Sequence, residues 1–319
     1  MKYLYLIILL LGAKLIFAQS NTSSPYSIGG LGDVAFKGNA INRLMGGLDI
    51  YSDSLHANLN NPASFGDLKL VTYGMGLNYK ETRLSSTVAE EDVTSASIDY
   101  LVVAIPTKRF TFGFGILPAT SVGYRLQSIE EDDDINNVIN KNEGYGGLNQ
   151  TFFTVGFKLF RFLNLGVSVN YNFGKITNES SRQEENIDYG TFFTKSSSLV
   201  GFNYRFSTQL TLPIKDKLNL NAMFNYVPDN TLTSSNESVF FTQSISTQNL
   251  GDFENVDLAQ DGLLETKISM GNQYSFGLGL TKDKKWFLGL QYSQRNSADY
   301  INEFIKLDNI VYALSLIHI

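Results

Sequence analysis

Apolar and polar residues alternate with a period of two along much of the chain. From Leu163 the apolar positions are Leu163, Leu165, Val167, Val169, Tyr171 and Phe173, with Asn164, Gly166, Ser168, Asn170 and Asn172 between them. The pattern recurs at Tyr73–Tyr79, Phe110–Ile116, Phe202–Leu212, Leu218–Tyr226, Tyr274–Leu280 and Trp286–Tyr292. Such alternation predicts strands with one apolar and one polar face. The apolar faces could meet the core of a soluble sandwich or the hydrocarbon of a membrane.

The connections between these segments discriminate. Short ones, at Pro106–Arg109, Phe160–Phe162, Pro213–Lys217 and Lys282–Lys285, alternate with long polar ones. The long ones run through Glu90–Asp92, Glu130–Gly147, Asn178–Ser197, Pro228–Thr266 and Arg295–Lys306. A membrane barrel has tight periplasmic turns and long external loops, whereas a Greek-key sandwich has no reason to sort its connections this way. The expected fold is therefore all-β, a transmembrane antiparallel β-barrel, with Asn164, Ser168, Asn170 and Asn172 facing the lumen. One strand departs from the pattern: Tyr100, Val102 and Ala104 alternate with Leu101, Val103 and Ile105, so both faces are apolar. Its inner face could pack on an internal plug or line a wall that handles a hydrophobic ligand.

The N-terminus places the chain outside the cytoplasm. Lys2, an apolar run and Ile16-Phe17-Ala18 before Gln19 read as a signal peptide over residues 1–18. There is no Cys, so disulfides, thiolate chemistry and a lipoprotein anchor are excluded. The net charge of -6 argues against a nucleic-acid partner. Abundant Gly, Phe and Tyr in an exported chain without Cys suit the bacterial outer membrane, with its lipid as one partner.

The chain also reads as a fragment. It holds about nine full strands and the start of another, whereas single-chain bacterial barrels close with an even number. Residues 314–319, Leu-Ser-Leu-Ile-His-Ile, are what the codons CTG-TCT-CTT-ATA-CAC-ATC would encode, the string of a transposon-end adapter used in sequencing libraries. The expectation is a barrel incomplete at its C-terminus that ends in translated adapter, which leaves His318 without functional meaning.

Chemistry is poorly supplied. Gly30-Leu31-Gly32-Asp33-Val34-Ala35 matches a dinucleotide fingerprint only formally, lacking the preceding strand and following helix. The acidic run Glu130–Asp134 lacks the spacing of a calcium loop and reads as a solvated loop. His56 is the only His besides His318, and no catalytic triad or metal-ligand cluster can be assembled. No enzymatic activity, metal or cofactor is expected.

The segment between the signal and the first strand is the most specific. Met45-Gly46-Gly47, Ser52-Asp53 and Asn60-Asn61-Pro62-Ala63 lead into that strand. Over about residues 26–126 this resembles the FadL/TodX family of outer-membrane transporters of long-chain fatty acids and other hydrophobic compounds. The resemblance rests on Gly46, Gly47, Asp53, Asn61, Pro62 and Ala63 and implies an N-terminal hatch, residues 19–66, that plugs a barrel formed by residues 67–313. It implies passive uptake of hydrophobic small molecules such as fatty acids. It also implies a lateral opening in the third strand at Leu117, Pro118 and Ala119, because Pro118 denies a ladder bond. A tolerated bulge is the other reading of Pro118. The alternative function is a docking or secretion-system component on the same barrel, since fold does not determine function.

Overall fold

The computed structural model describes residues 24–28, 30–85, 90–130, 137–215, 217–282, 285–296 and 312–315. The expected signal peptide, most of the acidic run Glu130–Asp134 and His318 lie outside the described residues.

The chain forms one curled antiparallel sheet. Its strands are β1 (Asp33–Val34), β2 (Thr72–Ser85), β3 (Glu90–Pro106), β4 (Phe110–Glu130), β5 (Val138–Phe160), β6 (Leu163–Glu184), β7 (Tyr189–Lys215), β8 (Leu218–Val227), β9 (Asn230–Ser244), β10 (Leu250–Asn255), β11 (Glu265–Met270), β12 (Gln273–Lys282), β13 (Trp286–Arg295) and β14 (Tyr312–Ser315). Neighbours follow chain order from β2 to β8, and β12, β13 and β14 continue the sheet. Its curl makes a half-barrel, the coarser form of the expected barrel.

Two pairs of elements are single strand lines with a break. The lower part of β7, Phe206–Lys215, pairs with β8, and its upper part, Tyr189–Val200, pairs with β9. β10, β11 and β12 lie in turn along β9 and β8. The breaks fall side by side, at Pro228-Asp229 and at Gly271-Asn272. On that side β7 has no ladder partner over residues 201–205. Together they make a crease on the β8–β12 side of the sheet, while β4 to β7 stay paired through that level.

The long connections expected from sequence are largely strand where they are described; Arg295–Lys306 lies almost wholly outside the described residues. β4 pairs with β5 as far as Glu130 and Val138, and β6 with β7 as far as Arg182 and Thr191. Glu90–Asp92 lies inside β3, and most of Pro228–Thr266 is β9, β10 and β11. β7 is 27 residues long, far beyond the about ten of a tilted membrane span. The physical reason is that backbone pairing needs no apolar face, so these polar strands carry no hydrophobic alternation to announce them.

In the lower half of the sheet the faces are inverted relative to a soluble protein. Leu165, Val167, Val169 and Tyr171 are exposed, while Asn164, Ser168, Asn170 and Asn172 are buried. Phe110, Phe112, Phe114, Phe202, Tyr204, Phe206, Phe276 and Leu278 extend the bare apolar surface, and Tyr73 is 78% exposed. The buried polar groups satisfy one another across strands. Thr154 donates to Ser168 (2.9 Å), Ser168 to Asn170 (2.9 Å) and Asn170 to Asn203 (2.6 Å).

The N-terminal segment, residues 24–71, lies on this buried face. It holds a five-residue helix, α1 (Ala40–Leu44), and a 3-10 turn, Pro62–Asp67. The doubly apolar β3 packs its inner residues Tyr100, Val102 and Ala104 against Ala57, Phe65 and Leu68 of the segment. The apolar inner face of that strand is thus covered by the N-terminal segment; the half-barrel does not show that segment as a plug.

Candidate functional site

Gly46 and Gly47 end α1. Both have positive φ, 67° and 86°, and Gly47 N donates to Asn42 O at 2.7 Å. This is the left-handed C-terminal stop that glycine makes without strain. The reversal sends Leu48 and Ile50 into a small cluster with Met223 beside β12 and β13. Asp53 works locally: its carboxylate accepts from Leu55 N and His56 N, each at 2.7 Å, and pairs with His56 Nδ1 at 2.7 Å.

Asn61, Pro62 and Ala63 clamp the segment to the sheet. Pro62 opens the 3-10 turn, where its missing N–H costs nothing. Asn61 is fully buried and donates to Gln209 Oε1 (2.6 Å) and Asp49 O (3.2 Å). Ala63 N donates to Ser207 Oγ (2.5 Å). A side chain at Gly166 would fall on the backbone of Pro62 and Ala63, so the close approach needs glycine there.

Sequence reasoning missed the deepest anchor. Phe65 is 1% exposed and fills the space over Gly113 and Gly156. The signal available was glycine on the polar phase of neighbouring strands opposite one aromatic residue in the preceding segment. It also missed the polar bolts from the sheet. Gln291 accepts from Asp49 N (2.7 Å) and donates to Asp49 Oδ2 (2.8 Å). Arg205 Nη1 donates to Asn60 O (2.9 Å) and Oδ1 (2.6 Å), and Asn225 to Asn60 O (3.1 Å). Burial pushes the Asp49 carboxyl above its ordinary range, against the Gln291 bond that draws it down.

Leu117, Pro118 and Ala119 sit where β3 and β4 part. The β3–β4 ladder stops at Leu101 and Ile116. Beyond it β4 continues along β5 through Pro118, with a bulge between Pro118 and Thr120. The freed edge is taken by β1, opposite Thr120 and Ser121, and Ala119 O accepts from Ala35 N at 3.0 Å. The six N-terminal residues and these three do not converge on one pocket.

The large concavity is elsewhere. A cleft of about 810 Å³ opens at the end of the sheet that carries the tight turns. Tyr51, Asp67, Lys158, Arg161, Trp286 and Phe287 line it, with Lys158 paired to Asp67 at 3.2 Å. Phe287 meets Tyr51 edge-on at 5.3 Å. Among the described residues no group of three or more His, Asp or Glu could hold a metal ion. The cleft lining mixes apolar and charged side chains.

The family model that matches the chain is BamG, over residues 1–316. The chain belongs to the BamG family. This family is related to the Bam complex, the outer-membrane assembly machinery. No match was found among curated proteins. No solved structure matches either. The match corrects the resemblance to FadL/TodX, and the expectation of fatty-acid uptake falls with it. The misleading motif has a physical explanation. Gly46-Gly47 is a helix stop and Asn61-Pro62-Ala63 a 3-10 clamp, both general backbone devices. An outer-membrane or periplasmic location is consistent with the family and with the β-rich fold.

Proposed function

We propose that the protein sits in the bacterial outer membrane and serves the outer-membrane assembly machinery as a docking component. The observation that carries this reading is the BamG match along residues 1–316. The exposed apolar face of the lower sheet suits hydrocarbon, and the N-terminal segment takes the part of a plug. The bolts from Asn61, Asp49 and Asn60 to β7, β8 and β13 hold that segment in place, which favours docking over a conduit. Tight turns mark the periplasmic rim of such barrels, so the 810 Å³ cleft would face periplasmic protein. The role needs no cofactor and no chemical step.

The test uses the tagged full-length protein in cells. Photo-crosslinking groups are placed at Arg161 and Trp286 in the cleft, and at Phe202 on the apolar face. The expected result is co-purification of Bam subunits from outer-membrane fractions, with crosslinks from Arg161 and Trp286 but not from Phe202. Fractionation away from the outer membrane, or outer membranes that yield neither co-purified subunits nor cleft crosslinks, would overturn the reading.

A further inference from the structure

A second, smaller cavity lies between the N-terminal segment and the crease of the sheet. It measures about 60 Å³, and three cationic side chains line it: Lys37, Arg205 and Arg295. They come from three distant parts of the chain, the N-terminal segment, β7 and β13. Among the described residues their side-chain hydrogen bonds go only to neutral oxygens. Lys37 Nζ donates to Gln150 Oε1 (3.1 Å), Arg205 Nη1 to Asn60, and Arg295 Nη2 to Gln273 Oε1 (3.2 Å). Among the described residues none of the three has an ion pair with a carboxylate.

Arg205 is 9% exposed, and its Nε has no hydrogen-bond partner among the described residues. Buried charges are ordinarily paired, because desolvation without a counter-charge costs several kcal/mol. Asp49 acts on Arg205 electrostatically, but its Oδ2 accepts from Gln291 and its Oδ1 has no hydrogen-bond partner among the described residues. The side-chain amides of Asn172, Asn203 and Gln273 also line the wall and can supply neutral donors.

We infer that this cavity binds a phosphate-type oxyanion, which ties the N-terminal segment to β7 and β13. A single water needs about 10–15 Å³ of such space, so the cavity has room for a group with several oxygens. A guanidinium presents a planar donor fork that matches phosphate oxygens, and an ammonium adds a point charge. The side-chain inventory of the site is that of an anion cradle. Independently, burial and the two guanidinium charges push the Lys37 ammonium down to about 7, and a bound anion would reverse that repulsion. The inference stands apart from the docking role, since it concerns only how the segment is held.

The experiment uses the full-length protein, folded in detergent and dialysed free of phosphate. Inorganic phosphate is titrated by calorimetry and by thermal unfolding, against chloride at matched ionic strength. The expected result is one saturable phosphate site per chain and a rise in melting temperature that chloride does not reproduce. Lys37→Gln and Arg295→Gln should each weaken binding at least tenfold while the protein still folds. Among the described residues each of these two side chains donates to one neutral oxygen, whereas Arg205 donates to two, both on Asn60. Phosphorus analysis and native mass spectrometry of the membrane-extracted protein separate the two sources. A retained phospholipid or lipopolysaccharide displaced by inorganic phosphate identifies a headgroup, and an empty protein that takes up phosphate identifies the free ion. Equal stabilisation by chloride, unchanged phosphate binding in both variants, or neither uptake nor bound phosphorus would overturn the inference.

Discussion

The two halves of β6 have the same backbone and opposite polarity. From Leu163 to Phe173 the outward residues are apolar and the inward ones are Asn, Ser and Gly. Beyond Gly174 the strand stays paired with β7, but Lys175 is exposed and Ile176 is buried. The neighbours switch at the same level. Leu199, Leu232 and Ile268 point inward and form a cluster with Ile176, Val122 and Leu31, while Ser198, Ser235 and Glu237 are exposed. The side-chain phase never slips; only the solvent it addresses changes. The lower half exposes an apolar face and buries a polar one, and the upper half does the reverse; under the proposed outer-membrane location the first meets hydrocarbon and the second water.

This contrast can be broken most forcefully from the inside of the upper half. Leu199→Ala should destabilise the protein by about 2–5 kcal/mol, because Leu199 is fully buried and its removal leaves a cavity. Denaturant unfolding of the detergent-folded protein checks it. The next effect sharpens the contrast on the outer face. Val167→Arg should cost about 2–4 kcal/mol in lipid vesicles, the penalty of a cation near a bilayer midplane. Ser198→Arg, on the same face of β7 but above the switch, should change stability by less than about 0.5 kcal/mol. Equal costs at the two positions would mean that both halves meet the same solvent.

A smaller effect is expected at the clamp. Gly166→Val would press on the backbone of Pro62 and Ala63 and cost about 1–3 kcal/mol of overpacking. Limited proteolysis should then cut within residues 24–71 sooner than in the wild type, with the outer face unchanged. The smallest effect is a slope with pH. In phosphate-free buffer the Lys37 ammonium titrates at about 7 in the folded chain, below its ordinary 10.5. Between those values the unfolded chain binds more protons, so stability should rise with pH across that window. Lys37→Met should flatten the rise, as read from unfolding midpoints at successive pH values.

The halves also explain what the sequence discloses. Strands below the switch were legible because Leu165, Val167 and Val169 alternate with Gly166, Ser168 and Asn170. The tight turns at Arg161 and near Lys217 were legible for the same reason. The upper strands were read as loops because stretches such as Thr177–Glu184 are polar on both phases, and their pairing rests on backbone bonds and contacts such as Thr177 to Ser196 at 3.2 Å. The segment over residues 19–66 was expected to be a hatch; its described part lies on the inner face of the sheet, and Phe65, Arg205 and Gln209, which fasten it there, were not foreseen. Each is ordinary in its own stretch of sequence, and only the curl of the sheet brings Gln209 to Asn61, 148 residues away. Pro118 was read either as a lateral opening or as a tolerated bulge. That the β3–β4 ladder ends at Ile116, that β1 takes the freed edge of β4, and that a bulge follows Pro118 along β5 all depend on long-range pairing that no local pattern encodes.

The crease at Pro228-Asp229 and Gly271-Asn272 has a consequence for how the protein comes apart. Cross-strand hydrogen bonds carry cooperativity along a sheet, and here the β7–β8/β9 ladder stops for residues 201–205. The upper strands β9 to β11, packed on the cluster around Leu199, are thus joined to the lower band on this side by chain and not by ladder, while β4 to β7 run paired through both halves. Hydrogen exchange should therefore be fastest among the paired amides that flank the crease, and β9 to β11 should open at lower cost than the through-paired β5 and β6.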